Sequence, residues 1–206
     1  VLSVERQWIT LKKRKFQMTK IVGIDYSLTG PCIAICDNVI DINETEFHYL
    51  TKVKKYEGKF RGGQITGHLF KEWTSEQQRH DQISDWVFEI IGIGYNNPTV
   101  FIEDYSFGSK GRVFNLAENT GLLKHKLYKK GIRFYTLVPS VIKKAATGKG
   151  NADKEKMYDK FYEETGIHLM EELDQTTLNN PVTDIVDSYY IAMVGYENEV
   201  LSKGKK

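Results

Sequence analysis

Four acidic residues stand where the surrounding pattern calls for apolar side chains. Asp25 interrupts the run "IVGIDYS" (21–27), and Glu103 ends the apolar part of "TVFIEDYS" (99–106). Asp184 and Asp187 lie in "TDIVDSYYIA" (183–192), three apart, so on a helix they share one face a turn from each other. The same stripe continues to Ile191 and Val194, which are apolar. A buried carboxylate is costly unless it finds a cation, a proton or a partner. Taken singly, an Asp in a strand reads as a satisfied structural acid and an Asp-x-x-Asp on a helix as solvated surface. Taken together, the four suggest convergence, and converging carboxylates cannot all be ionised without a counter-charge. Hard divalent cations supply one, and Mg²⁺ in particular binds through a few carboxylates plus water and phosphate. Two such ions about 4 Å apart can activate a water and stabilise the leaving oxygen of an in-line phosphoryl displacement.

That chemistry requires elements that bring the acids together. Residues 21–27 read as a strand, and 31–38 as its antiparallel partner after a Leu-Thr-Gly turn. Residues 43–53 read as a third strand at a sheet edge, and 54–66, with Gly58, Gly62 and Gly63, as a flexible connection. Ser75 caps a helix whose apolar positions Ile83, Trp86, Val87, Ile90 and Ile91 follow the 3.6 period. Residues 99–106 form a fourth strand, 113–130 an amphipathic helix, and 132–138 a fifth strand stopped by Pro139. A short helix (140–146), a glycine-rich turn (147–151) and a helix (152–165) closed by Gly166 follow. After an irregular stretch (171–180), Pro181 opens the final helix. The expected architecture is α/β, a five-stranded mixed sheet flanked by helices. If the first and fourth strands are parallel neighbours and the last helix packs on them, the four acids meet.

A chain of 206 residues suits one domain with tails, and 40% apolar residues suffice for its core. No stretch approaches 18 uninterrupted apolar residues, so no membrane span is expected. Cys32 and Cys36, four apart on a strand, share a face but lie too far apart to bridge. Free thiols of this kind suit a reducing compartment, so an intracellular setting, cytoplasmic or nucleoid-associated, is expected. The net charge is only +2, but the window from Lys124 to Lys156 holds ten basic residues against Asp153 and Glu155, a formal +8. Such a block is either a solvated face or a track for a phosphate backbone. Residues 1–17, with the basic run Lys12 to Lys15, read as an extension outside the fold, 18–200 as the domain, and 201–206 as a basic tail.

The motifs resemble those of the RuvC-type Holliday junction resolvases, whose fold is RNase H-like. "IVGIDYSLTGPCIAI" looks like that family's first hairpin, and "VFIEDYSFGSKGRVFNLAENTGLL" is similar to its second motif. "VPSVIKKAATGKGNADKEKM" is the most specific likeness, through its Pro-Ser, Lys-Lys-Ala, Thr-Gly-x-Gly and Ala-x-Lys string. "DIVDSYYIA" resembles the closing Asp-x-x-Asp helix. The motifs occur in family order across most of residues 20–198.

The resemblance implies a Mg²⁺-dependent endodeoxyribonuclease, with Mn²⁺ as a substitute, that holds two ions per active site and cuts opposed strands of a four-way DNA junction as a homodimer. Asp25, Glu103, Asp184 and Asp187 would hold the metals. Lys143 and Lys154 would lie beside them, steadying charge on the scissile phosphate. Tyr105 or Phe107 would stack at the opened junction centre; Lys110, Arg112, Lys144 and Lys149 would contact DNA. The helix 113–130 has apolar residues on more than one face, including Leu116, Leu122, Leu123 and Leu127. One face would pack on the sheet and part of the other, Leu123 included, would be left to join two copies, while Lys126 and Lys130 would set DNA affinity and its salt dependence. Residues 43–75 depart from the bacterial pattern. They leave open a broader debranching nuclease, another RNase H-like nuclease acting on hybrids or flaps, or a non-catalytic nucleic-acid-binding module. A sugar-kinase or actin-like ATPase, whose first motif also reads Gly-Ile-Asp, needs two such domains and a longer chain.

Overall fold

A computed structural model of the chain describes residues 20–37, 40–92, 98–104 and 113–198. The terminal extension 1–17 and tail 201–206 lie outside the described residues, as do Tyr105, Phe107, Lys110 and Arg112. The strands are β1 (Lys20–Asp25), β2 (Cys32–Asp37), β3 (Glu46–Thr51), β4 (Gly58–Phe60), β5 (Ile65–Leu69), β6 (Thr99–Glu103) and β7 (Arg133–Leu137). The helices are α1 (Glu76–Ile91), α2 (Val113–Lys129), α3 (Pro139–Thr147), α4 (Lys154–Thr165), α5 (Leu169–Glu172) and α6 (Val182–Tyr196).

One sheet of seven strands runs β4-β5-β3-β2-β1-β6-β7. β1, β2 and β3 form an antiparallel meander, whereas β6 and β7 extend it in parallel from the other side of β1. The expected five strands are therefore corrected to seven among the described residues. β3 lies inside the sheet rather than at its edge, because β5 pairs with it in parallel and β4 pairs with β5. The segment read as a flexible connection contains β4 and leads into β5. Neither has a readable pattern: β4 is three residues long, and β5 mixes Ile, Thr, Gly and His. Such strands form because β3 offers an unpaired edge, a tertiary cause that periodicity does not carry. The stretch 171–180 is preceded by the short helix α5, which covers its first two residues.

Alternation along each strand sorts its side chains onto two faces. Val22, Ile24, Val100 and Ile102 join Ile83, Val87, Ile91, Leu123 and Leu127 under α1 and α2. Ile21, Ala34, Phe47 and Phe101 join Ile185, Tyr190, Ile191 and Val194 under α6. The helices begin and end where their sequence directs. Ser75 accepts a hydrogen bond from the Gln78 amide at 3.1 Å, and the Asp153 carboxylate accepts one from the Lys156 amide at 2.9 Å. Gly148 and Gly166 close α3 and α4 in the left-handed region.

The inner face of α2 departs from the expected pairing surface. Leu123 and Leu127 are fully buried in the domain's own core, and Leu116 and Leu122 are half-buried. The exposed stripe is Phe114, Gly121 and Tyr128, seven apart, with Phe114 81% and Tyr128 74% exposed. Lys126 is also assigned differently. Its ammonium bonds Asp81 at 2.6 Å and Asp85 at 2.7 Å, tying α2 to α1 instead of facing a phosphate. Lys130 lies over the Phe88 ring, 5.3 Å from its centroid. Cys32 and Cys36 are buried free thiols. No helix of the described residues is long and apolar enough to cross a membrane.

Candidate active site

Asp25 is the last residue of β1 and Glu103 the last of β6. The strands are parallel neighbours with Ile24 opposite Ile102, so the two carboxylates occupy adjacent positions at the same end of the sheet. Ile24 and Ile102 point into the core under α1 and α2. By alternation Asp25 and Glu103 point to the other face, the one α6 covers.

α6 reaches that face because small residues let it lie against the strands. A Cβ on Gly23 would stand 2.4 Å from the Ala192 nitrogen and 2.4 Å from the Ser188 carbonyl oxygen. A Cβ on Gly195 would run into the Phe101 ring at 2.2 Å. Both approaches are too short for a side chain, so glycine sets how closely the helix sits. Asp184 and Asp187 are thereby carried over the end of β1, and Asp184 is only 4% exposed. The β1–β2 turn closes the site from the other side. A Cβ on Gly30 would meet Asp184 Oδ2 at 2.5 Å and Asn180 Nδ2 at 2.9 Å.

Two lysines complete the cluster. Lys154, the first residue of α4, donates to Thr183 Oγ1 at 3.1 Å, and the Thr183 hydroxyl donates to Asn180 Oδ1 at 2.9 Å. Lys143 of α3 lines a cavity of about 320 Å³ with Glu103, Asp104, Leu116, Lys154 and Asp187. This cavity opens the Glu103 and Asp187 side of the acidic cluster to solvent.

The electrostatics are those of acids held together without enough positive charge. Burial, then Asp184, Asp187 and Glu103, pushes the Asp25 carboxyl well above the ordinary range, with Lys154 opposing. Burial and then Asp187 raise Glu103 to about 7 against the pull of Lys143. Burial raises Asp184 to about 8, with Lys154 pulling it down and Asp187 up. Asp187 is raised by burial, while Lys154 and Lys143 act the other way. Among the described residues no three acidic, histidine or cysteine side chains close on one point as a finished metal site would. The fit to a divalent ion lies instead in the donors and their unmet demand. All four are hard oxygen ligands, and the buried Asp184 Oδ2 has no hydrogen-bond partner.

Every acid that the sequence singled out is thus in one place, and Lys143 and Lys154 are beside them. Lys144 and Lys149 are exposed on α3 and in the loop after it. Sequence reading missed Gly30, Asn180 and Thr183. The spacing of Thr183 next to Asp184 gave a weak signal, but Gly30 and Asn180 matter only through proximity created by the fold.

No protein-family model matches the chain, and no curated protein matches it by sequence. Solved structures do match. Thermus thermophilus RuvC superposes with a TM-score of 0.54 at 16% identity, over 87% of this chain and 96% of that one. T. thermophilus RuvC in complex with Holliday junction substrate gives 0.59 at 14% identity, over 89% and 96%. The yeast mitochondrial Holliday junction resolvase Ydc2 gives 0.49 at 13% identity, over 89% and 80%. The chain has the RuvC-type, RNase H-like fold that its motifs implied.

Proposed function

We propose that this protein is a divalent-metal-dependent, structure-selective endodeoxyribonuclease that resolves four-way DNA junctions by paired cuts from a homodimer. The observation that carries the reading is the convergence of Asp25, Glu103, Asp184 and Asp187 from three separate elements at one open end of the sheet, with Lys143 and Lys154 beside them. A structural role alone gives no reason to bury four carboxylates together, where burial raises the pKa of each and neighbouring acids add to it at Asp25, Glu103 and Asp184.

The four carboxylates would hold two Mg²⁺ ions, with Mn²⁺ as a substitute. When bound, such ions supply an activated water and neutralise charge on the scissile phosphate. The chain's own groups do the rest. Asp184 and Asp187, fixed on a helix locked to β1 by Gly23, present oxygens at a set height above Asp25. Lys154 lowers the proton affinity of Asp25, Asp184 and Asp187 together, so it favours the ionised form that ligation requires. Its bond to Thr183 fixes the ammonium at the rim of the cluster. Lys143 does the same for Glu103 and Asp187 and faces the cavity, where a phosphate oxygen would take its charge. Lys144 and Lys149 extend positive charge along the outside of that opening, as a phosphate backbone requires.

The test is cleavage of end-labelled four-way, three-way, flap and RNA–DNA hybrid substrates with Mg²⁺, with Mn²⁺ and with chelator. Symmetric paired cuts in the four-way junction, abolished by chelator, are expected. Equal cutting of every branched substrate would shift the reading to a general debranching nuclease. Junction binding without any metal-dependent cutting would leave only a binding module.

A further inference from the structure

His48 of β3 and His68 of β5 face each other across the seam that joins the added strands to the sheet. The register sets Leu50 opposite His68, so His48 and His68 are diagonal neighbours on one face. This is the face α1 covers, since His68 also packs edge-on to Trp86 at 6.0 Å. The acidic cluster lies on the opposite face, so the sheet separates the two groups. The rings are stacked, with centroids 5.5 Å apart and planes at 27°. His48 Nδ1 and His68 Nε2 are 3.2 Å apart. The other nitrogen of His48, Nε2, faces the Glu46 carboxylate at 3.7 Å, and the His48 side chain is 19% exposed.

We propose that His48 and His68 form a second cation site, one that takes Zn²⁺ or a similar borderline divalent ion through two imidazole nitrogens. Two nitrogens bound tetrahedrally to one zinc at its usual bond length are about 3.3 Å apart. The observed separation is that of the hydrogen bond now joining the two rings, and it matches that spacing, so an ion would replace the shared proton as the rings rotate. Glu46 favours one tautomer by charge. Its carboxylate, 3.7 Å from His48 Nε2, attracts a proton there and leaves the lone pair on Nδ1, in the manner of the carboxylate–histidine pairs that orient metal ligands. His68 would change tautomer, moving its proton to Nδ1 so that Nε2 can ligate. Among the described residues no third histidine, cysteine or carboxylate completes the set, so water fills the remaining positions. Imidazole favours zinc over magnesium, whereas the four carboxylates favour magnesium. The two sites therefore sort ions by ligand type. A bound ion would clamp β5, and β4 beyond it, to β3.

The full chain, stripped of metal, is titrated with Zn²⁺ in excess Mg²⁺ against a chromogenic zinc chelator, and its Tm is recorded in parallel. The wild type and Asp25→Asn are expected to retain one equivalent of Zn²⁺ and to gain several degrees in Tm. His48→Gln and His68→Gln should bind at least ~10-fold more weakly and lose the Tm gain, with Glu46→Gln intermediate. Equal zinc retention by both histidine variants would overturn the proposal, as would loss confined to Asp25→Asn. Should the variants fold poorly, the ring-nitrogen NMR signals of the wild type decide. Zn²⁺ must shift one nitrogen of each histidine, and unmoved signals reject the site.

Discussion

Each of the four carboxylates is pushed towards its protonated form, first by burial and, for Asp25, Glu103 and Asp184, also by neighbouring acids, and that fixes how the metal-free protein responds to pH. A folded-state pKa raised above the unfolded value stabilises the fold only while the proton stays bound. Glu103 at about 7 and Asp184 at about 8 are raised from ordinary carboxylate values, so the folded state binds more protons than the unfolded one in between. Stability is therefore full below the ordinary carboxylate range and falls as pH rises through about 7 to 8. In chelator, Tm should decline across that window, and Asp184→Asn should flatten the decline. Mg²⁺ should raise Tm more at the alkaline end, where fewer protons compete for the oxygens. Asp25→Asn, Glu103→Gln, Asp184→Asn and Asp187→Asn should each reduce cleavage by at least ~100-fold while junction binding by gel shift is retained. Wild-type rates in two of these variants would mean that the site lies elsewhere. Lys154 acts on three of the same acids. Lys154→Ala should thus move the acid limb of the cleavage–pH profile to higher pH and lower kcat more than it weakens binding. An unmoved acid limb would confine Lys154 to anchoring Thr183.

The site's geometry depends on how three elements meet. α6 reaches the strand ends because Gly23 leaves room for the Ser188 carbonyl and the Ala192 amide. The β1–β2 turn approaches Asp184 because Gly30 has no side chain. Gly30→Ala should displace the Asp184 carboxylate and reduce cleavage by roughly 10-fold or more, with the Mg²⁺ requirement raised. Gly23→Ala should instead lift the whole helix, at about 3 kcal/mol in urea unfolding. Equal loss of stability in both would show that the turn acts through folding and not through Asp184. α1 and α2 are tied by Lys126 to Asp81 and Asp85. Lys126→Ala should leave the salt dependence of junction binding unchanged, whereas Lys149→Ala should reduce its slope by about 1. A lower slope for Lys126→Ala would return that lysine to the DNA.

Paired cutting of opposed strands asks for two active sites at a fixed spacing, which a two-fold dimer provides. α2 leads directly from the segment after Glu103, and its outer stripe of Phe114, Gly121 and Tyr128 is left unfilled by the domain itself. A glycine within a helix costs about 1 kcal/mol relative to alanine. Among the described residues nothing lies within 4 Å of a Cβ on Gly121, so close approach of a second helix would give that cost a reason. Phe114→Glu with Tyr128→Glu should yield a folded monomer by sedimentation, binding junctions but no longer making paired cuts. Leu123→Glu should unfold the domain, because Leu123 is fully buried in the core. A wild-type monomer that still cuts opposed strands within one complex would remove this arrangement.

Residue type and short-range periodicity were enough to find the four acids, to place them on two strands and a helix, and to order most of the elements. A carboxylate inside an apolar run is visible without knowing its neighbours, because burial of charge is costly wherever the chain folds. Caps at Ser75 and Asp153 and the glycine stops at 148 and 166 were local as well, and local signals survive in one dimension. What lay beyond the sequence depends on pairing. β4 and β5 carry no apolar alternation and exist because β3 offers hydrogen bonds to β5, and β5 in turn to β4. Lys126 reads the same as Lys144, and only α1 makes one an ion-pair partner and the other exposed charge. The leucines of α2 could each have faced inward or outward, since their helix is apolar on more than one side, and packing against α1 and β7 chose Leu123 and Leu127. Gly30 beside Asp184, and His48 beside His68, are meetings of residues far apart in the chain. Tertiary structure decides such contacts because their energy arises only when both partners arrive.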